Sequence, residues 1–252
     1  MSDLTVYLVT GANRGIGLAI VTALSARPDA VVFAGARDPS RANDLNALAR
    51  AHPGRVHVVK VVSADKKNNE TAIEEVKRVT GHLDVVFANA GISDSYEPAL
   101  EIPTEGMNRH FEVNTNGPLV LFQAAYPLLR GSANPKFVTI SSGLGSIALA
   151  GELSVNMYAY GASKAAVNWV MRKLHRDFPD MVVFPISPGM VATDMARDGV
   201  EREPAMLELQ KALPPITPEE SARGILEQID VATRETHGGQ FVDCTGLGKW
   251  RW

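Results

Sequence analysis

The sequence feature that most constrains the fold is an alternation of short apolar runs with longer amphipathic segments. Seven runs are apolar at consecutive positions, which is typical of parallel strands covered on both faces. They span Val6–Thr10, Ala30–Gly35, Val56–Val62, Leu83–Ala88, Phe137–Ser141, Met181–Ser187 and Gln240–Asp243. The helical segments between them are Ile16–Ala26, Ser40–Ala51, Asn68–Thr80, Gly106–Leu129, Met157–Asp177 and Pro218–Thr233. This order predicts an α/β fold in which a doubly wound parallel sheet of about seven strands carries helices on both faces.

Composition narrows the class of protein. The 252 residues are 45% hydrophobic and show no internal repeat or linker, so we expect one domain over residues 1–252. The net charge is −3 without a Lys/Arg-rich run, which argues against nucleic acid as a partner. We find no secretory signal and no apolar run long enough for a membrane helix. Since Cys244 is the single cysteine and the histidines are scattered, we expect no disulfide, no metal site and a cytoplasmic location.

A glycine-rich turn joins the first strand to the first helix. Gly11, Gly15 and Gly17 lie in the run Gly11-Ala12-Asn13-Arg14-Gly15-Ile16-Gly17. Such glycines allow a tight turn, close approach of a pyrophosphate to the backbone, and close packing of helix on strand. The helix N-terminus then offers free N–H groups to phosphates. A plain turn would need no ligand, but the position favours a Rossmann-type dinucleotide site.

The end of the second strand bears on the choice of dinucleotide. A 2′-phosphate is bound by arginine, whereas an unphosphorylated ribose prefers a carboxylate at this place. Arg37 follows the strand and Arg14 lies within the glycine turn. Asp38 complicates the interpretation unless it points away and caps the segment after Pro39. We therefore predict NADP(H) as the cofactor.

Tyr160 and Lys164 form the candidate catalytic pair. They are four residues apart on a predicted helix, so they share one face. An ammonium near a phenol favours the phenolate and lowers a pKa of ordinarily ~10. Such a tyrosine is suited to exchange a proton with an alcohol or ketone. A Tyr/Lys pair also occurs by accident on exposed helices, so the neighbouring strand ends matter.

Three further strands end in residues suited to a ligand site. Ligands of α/β sheets bind outside the carboxyl ends of the strands. The strand ends carry Ser141-Ser142-Gly143, Asn89-Ala90-Gly91 and Pro188-Gly189-Met190-Val191-Ala192-Thr193. Each has a simpler interpretation as a cap or a turn. Together they favour a single site above one edge of the sheet.

With these motifs the chain resembles the short-chain dehydrogenase/reductase family over nearly its whole length. The tryptophan-ended tail and Ser141–Ile147 are similar to the carbonyl-reductase subgroup of sniffer, C-factor and norsolorinic acid ketoreductases. The resemblance implies that Tyr160 protonates the carbonyl oxygen of the substrate. It also implies that Lys164 lowers the pKa of Tyr160 and binds the nicotinamide ribose. Ser142 would orient the substrate, and Asn114 would hold a water molecule of the proton relay. It also implies cofactor contacts from the following residues: Gly11, Asn13, Arg14, Gly15, Ile16, Gly17, Arg37, Asn89, Ala90, Gly91, Tyr160, Lys164, Pro188, Gly189, Val191 and Thr193.

Two departures from the family pattern leave alternatives open. Ser142 and Tyr160 are 18 positions apart, more than is usual in the family, so Ser146 is an alternative to Ser142 as the working hydroxyl. Ser142 is favoured because it ends the strand. The family often has an aspartate for the adenine just after the third strand. Here Asp65 takes that role, or backbone groups do.

The substrate, partners and rival functions complete the expectations. Tyr96, Leu144, Leu149, Leu153, Met190, Met195 and Met206 are expected around a hydrophobic ketone, aldehyde or alcohol, or else they pack the loops. Residues 190–217 form either a mobile flap or an ordinary surface loop and helix. The resemblance implies a homodimer or homotetramer. The rivals are a non-catalytic NADP(H)-binding redox regulator and a pathway enzyme that reduces an imine or guides a cyclisation.

Overall fold

The computed structural model describes residues 4–252, which fold around one parallel sheet of seven strands. The strand order is β3-β2-β1-β4-β5-β6-β7. The strands are β1 Thr5–Thr10, β2 Ala30–Ala36, β3 Val56–Lys60, β4 Val85–Ala88, β5 Lys136–Ile140, β6 Val182–Ser187 and β7 Val242–Asp243. The helices are α1 Gly15–Ser25, α2 Asn43–Ala51, α3 Lys66–Thr80, α4 Thr104–Phe111, α5 Gly117–Leu129, α6 Tyr158–Asp177, α7 Asp194–Arg202, α8 Ala205–Ala212 and α9 Pro218–Val231. The predicted doubly wound fold is confirmed.

Alternation of side chains along each strand divides the core into two apolar layers. On β1, Val6 and Leu8 belong to one layer, whereas Tyr7 and Val9 belong to the other. The first layer includes α3, α5 and α6, and the second includes α1, α2 and α9. Because both faces are covered, the strands are apolar at consecutive positions, as the sequence predicts.

The strand order reverses beside β1, which pairs with β2 on one side and β4 on the other. A crevice opens at such a switch point, outside the carboxyl ends of the strands. The glycine turn after β1 and Asn89-Ala90-Gly91 after β4 border this crevice. The topology therefore places both motifs at one site.

The predicted helix Gly106–Leu129 is interrupted in the structure. Residues Glu112–Asn116 form a π-helical segment between α4 and α5. Pro118 has no amide hydrogen and cannot donate to the carbonyl of Asn114, four residues earlier, so the α-helical pattern is broken here. This shift locates Asn114 at the turn that faces α6.

The region 190–217, predicted as a flap or a surface loop and helix, contains the two short helices α7 and α8. Thr193 caps α7, since its side chain accepts a hydrogen bond from the amide of Ala196. Among all helices of residues 4–252, none is long and apolar enough to cross a bilayer.

Candidate active site

The candidate site lies where β1, β4, β5 and β6 end. A Cβ added to Gly91 would lie 3.2 Å from Asn114 Oδ1 and 3.6 Å from Lys164 Nζ. A Cβ added to Gly15 would lie 3.4 Å from Thr193 Cγ2. The predicted motifs after β1, β4 and β6 and on α6 are therefore neighbours in space.

The glycine turn is shaped for close backbone packing. Gly11 has a positive φ of 61°, and a Cβ there would lie 2.9 Å from Ala90 Cα. A Cβ on Gly17 would lie 2.3 Å from the Gly11 carbonyl oxygen. Arg14 precedes α1 without making a side-chain capping hydrogen bond. The first N–H groups of α1 are thus left for a ligand, which fits the phosphates of a dinucleotide.

Asn89, which follows the neighbouring strand β4, stabilises this turn through hydrogen bonds. Its Nδ2 donates to the carbonyl of Thr10 at 2.8 Å and to that of Gly11 at 3.1 Å. In return, Thr10 Oγ1 accepts from the amides of Asn89 at 3.0 Å and Ala90 at 3.1 Å. The predicted cofactor residue Asn89 therefore positions the glycine turn, and Thr10 is a partner that the sequence reasoning missed.

Tyr160 and Lys164 lie together in the first turns of α6. Lys164 Nζ is 5.6 Å from the centroid of the Tyr160 ring and donates to the carbonyl of Ile140 at 2.8 Å. This carbonyl ends β5, so the lysine connects α6 to the strand that leads into Ser142. Burial and the two lysine contacts fix the pair at the edge of the sheet.

The pKa of Tyr160 departs from the sequence-based expectation. Burial raises it to about 12, interaction with the Ser142 hydroxyl lowers it in part, and Tyr96 adds to the rise. Burial also lowers the pKa of Lys164 to about 8. The protein without a cofactor therefore has a raised phenol pKa in place of the expected depression, because desolvation by burial is the largest cause of the shift.

Ser142 and Ser146 have different surroundings. Ser142 follows the last residue of β5 by two positions, is half-buried, and accepts a hydrogen bond from the amide of Leu144 at 3.2 Å. Ser146 is buried, and its hydroxyl donates to the carbonyl of Arg251 at 2.7 Å. Since the Ser146 proton is used by residue 251 and Ser142 affects the phenol, the structure favours Ser142.

Asn114 joins the π-helical segment to the site. Its Nδ2 donates to the carbonyl of Ile92 at 2.9 Å and to Ser163 Oγ at 3.0 Å, while Oδ1 accepts from the amide of Ile92 at 2.8 Å. Thr115 Oγ1 donates to the carbonyl of Ser163. These bonds hold α6 and the segment after β4 together around Lys164.

The residues after β6 form a turn beside the glycine turn. Gly189 has a φ of 83°, and the Pro188 carbonyl accepts from Ser221 Oγ at 2.7 Å. Val191 forms an isolated bridge with Ile216. The turn thus brings Thr193 next to Gly15 and leads into α7.

The charged residues predicted to select the cofactor are at the surface. Arg37 is exposed at the end of β2. Asp38 Oδ1 accepts from the amide of Ser40 at 3.1 Å and from its hydroxyl at 2.6 Å, so it caps the turn after Pro39 as anticipated. Arg14 Nη1 lies 3.5 Å from Asp194 Oδ2 in a solvated pair.

Asp65, predicted as a candidate adenine contact, is an exposed cap of α3. Its Oδ1 accepts from the amide of Asn68 at 3.0 Å. The buried Asn69 donates to the carbonyls of Val62 and Asp65. The observed role of Asp65 is therefore structural, and its adenine role stays a prediction.

An apolar cluster surrounds Tyr160. Tyr96, Met157 and Met206 are buried in it, and Leu144, Val155, Tyr160, Met190, Val200 and Leu209 pack against them. Four of the predicted lining residues are members, whereas Leu149, Leu153 and Met195 are not. Met157 was missed, although its position one turn before Tyr160 is a signal that could have found it.

Helices α7 and α8 border a cleft of about 700 Å³. Its walls include Gly15 of the glycine turn, Thr193, Arg197 and Pro215. The buried Glu203, between the two helices, accepts from the amides of Asn156 and Ala205, both at 3.2 Å. Glu203 therefore connects the α7–α8 segment to the loop before α6.

In the described part of the chain, no three His, Cys, Asp or Glu side chains lie close enough together to bind a metal ion.

Comparison with known proteins decides the family. The short chain dehydrogenase family model matches residues 5–204. The chain belongs to the short-chain dehydrogenase/reductase family. A short chain dehydrogenase of Penicillium aethiopicum, gsfK, is 40% identical over 95% of this chain and 96% of that protein. The norsolorinic acid ketoreductase of Aspergillus parasiticus is 36% identical over 98% of this chain and 91% of that protein.

Solved structures place this dehydrogenase/reductase with the carbonyl reductases. The NADPH-bound carbonyl reductase from chicken fatty liver has a TM-score of 0.85 at 30% identity, covering 98% of this chain and 100% of that one. The Sniffer carbonyl reductase of D. melanogaster has a TM-score of 0.85 at 27% identity, covering 99% and 100%. The protein is therefore an oxidoreductase of the carbonyl-reductase type, as the sequence motifs predicted.

Proposed function

We propose that this protein is an NADPH-dependent reductase of hydrophobic ketones or aldehydes, reversible toward the alcohols, with Tyr160 as the general acid/base. The observation that carries the proposal is the placement of Tyr160, Lys164 and Ser142 at the sheet edge that also holds the glycine turn. A half-buried phenol beside a hydroxyl that follows β5 can hold a carbonyl oxygen between two hydrogen-bond donors.

The chain's own residues supply the proton and the positioning. Because the pKa of Tyr160 is about 12, the phenol is protonated at neutral pH and can give its proton to the carbonyl oxygen. Ser142 orients that oxygen, while Lys164 holds the ribose side and Asn114 fixes the segment around the lysine. When bound, NADPH supplies the hydride and its oxidised form supplies a positive charge near the phenol.

The cofactor would lie along the ends of β1, β4 and β6. Its phosphates fit the open start of α1 at Gly15, Ile16 and Gly17, with Gly11 and Asn13 in the same turn. Ala90 and Gly91 present a side-chain-poor wall, and Pro188, Gly189, Val191 and Thr193 border the nicotinamide side. The fit rests on the glycine contacts, since any Cβ at Gly17 would fill the space that brings helix and strand together.

Preference for NADP(H) is supported by Arg14 and Arg37. Both guanidinium groups are exposed near the crevice, and Asp38 is turned toward Ser40. We expect Arg37→Ala to raise the KM for NADPH by roughly 10-fold or more, as loss of a charged hydrogen bond of about 1.5–3 kcal/mol implies. The KM for NADH should stay nearly constant. A wild-type KM that is lower for NADH than for NADPH would contradict the preference.

A hydrophobic substrate is supported by the apolar cluster around Tyr160. Methionine side chains adapt to irregular apolar shapes, and Met157, Met190 and Met206 are all members. Relatives of this chain bear the name norsolorinic acid ketoreductase, which fits a ketone as the reacting group. If only small hydrophilic carbonyls turn over, the cluster is packing and not a substrate pocket.

Assembly into a homodimer or homotetramer through α4–α5 and α6 is part of the proposal. Trp169 on α6 is 67% exposed, which supports an apolar face available to a second copy. Light scattering would measure the mass in solution, and a monomer would exclude this assembly.

The decisive experiment compares Tyr160→Phe with Tyr158→Phe. A panel of aromatic and aliphatic carbonyls is followed by NADPH absorbance. Removing the general acid should lower kcat by about 10²- to 10⁴-fold while NADPH still binds. Tyr158, on the same helix and 49% exposed, is the matched control and should keep its activity.

The same assay separates the rival functions. A redox regulator would bind NADPH without turning over any carbonyl, and Tyr160→Phe would change nothing. An imine-reducing or cyclising enzyme would consume NADPH only with those substrates. Undiminished carbonyl reduction by Tyr160→Phe would overturn the assigned role of the phenol.

A further inference from the structure

A segment at residues 245–252 packs on the loop that follows Ser142, and the proposed mechanism does not use it. The segment begins after β7 and carries Trp250 and Trp252. The loop, Gly143–Ala148, leads from the serine toward the apolar cluster. The contact between them involves steric fit, a buried carboxylate and backbone hydrogen bonds.

Trp250 is seated directly on the backbone of the loop. A Cβ at Gly143 would lie 2.4 Å from Trp250 Cη2 and 2.7 Å from Cζ3. Only a glycine therefore allows the indole to reach this depth. Since Gly143 follows Ser142 immediately, the indole limits how far the serine backbone can move toward it.

Asp243, at the end of β7, holds the Trp250 indole by a hydrogen bond. Its Oδ2 accepts from Trp250 Nε1 at 2.7 Å, and its Oδ1 accepts from Lys249 Nζ at 3.0 Å and from Thr245 Oγ1 at 2.6 Å. The carboxylate is fully buried. Burial alone would raise its pKa, but the hydrogen bonds from Thr245, Lys249 and Trp250 outweigh burial and hold the pKa below its usual value.

Hydrogen bonds to the backbone carbonyls of residues 251 and 252 join the segment to the same loop. Ser146 Oγ donates to the carbonyl of Arg251 at 2.7 Å, and the amide of Ala148 donates to the carbonyl of Trp252 at 3.0 Å. The Trp252 ring is held in turn by the Arg172 guanidinium at 4.8 Å and by stacking on Phe241 at 5.7 Å. The loop is thus attached at both Gly143 and Ser146–Ala148.

We propose that segment 245–252 is a positioning element for the reaction, which holds the loop Gly143–Ala148 and thereby sets Ser142 beside Tyr160. The inference rests on the proposed reductase function. On its other side the loop contacts α6, because a Cβ at Gly145 would lie 2.8 Å from the Lys164 backbone. The loop is therefore enclosed between the segment and the helix that carries the catalytic pair.

The test replaces the indole and leaves the reacting groups intact. In Trp250→Ala, the contact between the indole and Gly143 is lost. The resulting displacement of Ser142 should lower kcat by about 10- to 100-fold, as expected when a catalytic group is misplaced by about 1 Å. The Kd for NADPH should stay within about twofold, since the glycine turn is untouched. Trp250→Phe restores an aromatic ring without the N–H group and should recover part of the loss.

Leu247→Ala is the matched control, because Leu247 belongs to the same segment and is 48% exposed. It should retain wild-type kcat. The comparison of kcat with the Kd for NADPH gives a readout that general destabilisation would not produce: a displaced serine should lower kcat alone, whereas loss of folded protein would weaken both.

Hydrogen exchange reports on the loop without any substrate. The amides of Gly145, Ser146 and Ala148 make hydrogen bonds in the loop and to Trp252. They should exchange faster in Trp250→Ala and in the milder Ser146→Ala, while the amides of the glycine turn stay unchanged. If Trp250→Ala keeps its kcat and its loop exchange, the positioning role is wrong. Failure of the reductase proposal would instead appear in the wild type, as a lack of carbonyl turnover.

Discussion

Gly17→Ala tests whether close packing of α1 on the turn creates the cofactor site. The added methyl group would lie 2.3 Å from the Gly11 carbonyl oxygen and 2.6 Å from Asn89 Nδ2. Both atoms are already hydrogen-bonded to each other, at 3.1 Å. Because the nearest atom is backbone, no side-chain rotation relieves the clash, and the turn must move by about 1 Å.

The size of the effect follows from three contributions. Overpacking of this kind costs about 1–3 kcal/mol, and loss of the Asn89 hydrogen bond adds about 1 kcal/mol. Alanine in place of glycine within α1 returns at most about 1 kcal/mol of helix propensity. We therefore expect the free energy of unfolding to fall by about 1–3 kcal/mol and Tm by about 2–12 °C.

Cofactor affinity should fall more than stability alone implies. A turn displaced by about 1 Å misaligns N–H groups whose bonds to a phosphate are worth about 1.5–3 kcal/mol each. Loss of one such bond weakens the Kd for NADPH by about 10- to 100-fold. The measurements are NADPH fluorescence titration and thermal unfolding of the same samples.

Gly151→Ala is the control, since a Cβ at Gly151 would meet no atom within 4 Å. It should leave Tm and the Kd for NADPH at their wild-type values. If Gly17→Ala behaves like Gly151→Ala, the steric argument for the phosphate site is refuted. If Tm falls and the Kd does not, the glycine serves packing only.

Two further predictions concern Asp65 and Lys164. Asp65→Ala removes the cap of α3 and should lower the free energy of unfolding by about 1 kcal/mol, while the KM for NADPH stays constant. A KM for NADPH that rises about 10-fold would instead support an adenine contact by Asp65. Burial lowers the pKa of Lys164 from 10.5 to about 8, so between these values the unfolded chain binds a proton that the folded lysine has released. Stability relative to Lys164→Met should therefore rise with pH in this window in urea unfolding, and a constant difference would contradict the shift.

Local patterns were sufficient to predict the sheet and the glycine turn. Consecutive apolar residues identify strands buried on both faces, and chain order with right-handed crossovers then restricts their arrangement. The strand ends Ser142, Asn89 and Pro188 followed from the same reasoning. These features depend on the chemistry of short segments, which a sequence displays directly.

Features that depend on distant contacts could not be predicted in this way. The raised pKa of Tyr160 comes first from burial, and the apolar cluster beside it includes Tyr96 and Met206, which are distant from Tyr160 in the sequence. The hydrogen bond from the Ser146 hydroxyl to the Arg251 carbonyl joins residues that are 105 positions apart. The π-helical segment has a local cause in Pro118, but a proline after a glycine usually indicates only the start of a helix.

Close packing against a glycine occurs at both ends of the candidate site, at the glycine turn and at the loop after Ser142. At Gly17 and at Gly143, a missing side chain lets another part of the chain come within a distance that a Cβ would forbid. In the proposed function the first approach shapes the cofactor side, and in the proposed positioning role the second supports the serine. Lys164 donates to the Ile140 carbonyl, which immediately precedes the Ser141–Ser142 pair. Since packed interiors transmit displacement, a methyl group at either glycine should affect hydride and proton transfer through geometry, although neither residue carries a reactive group.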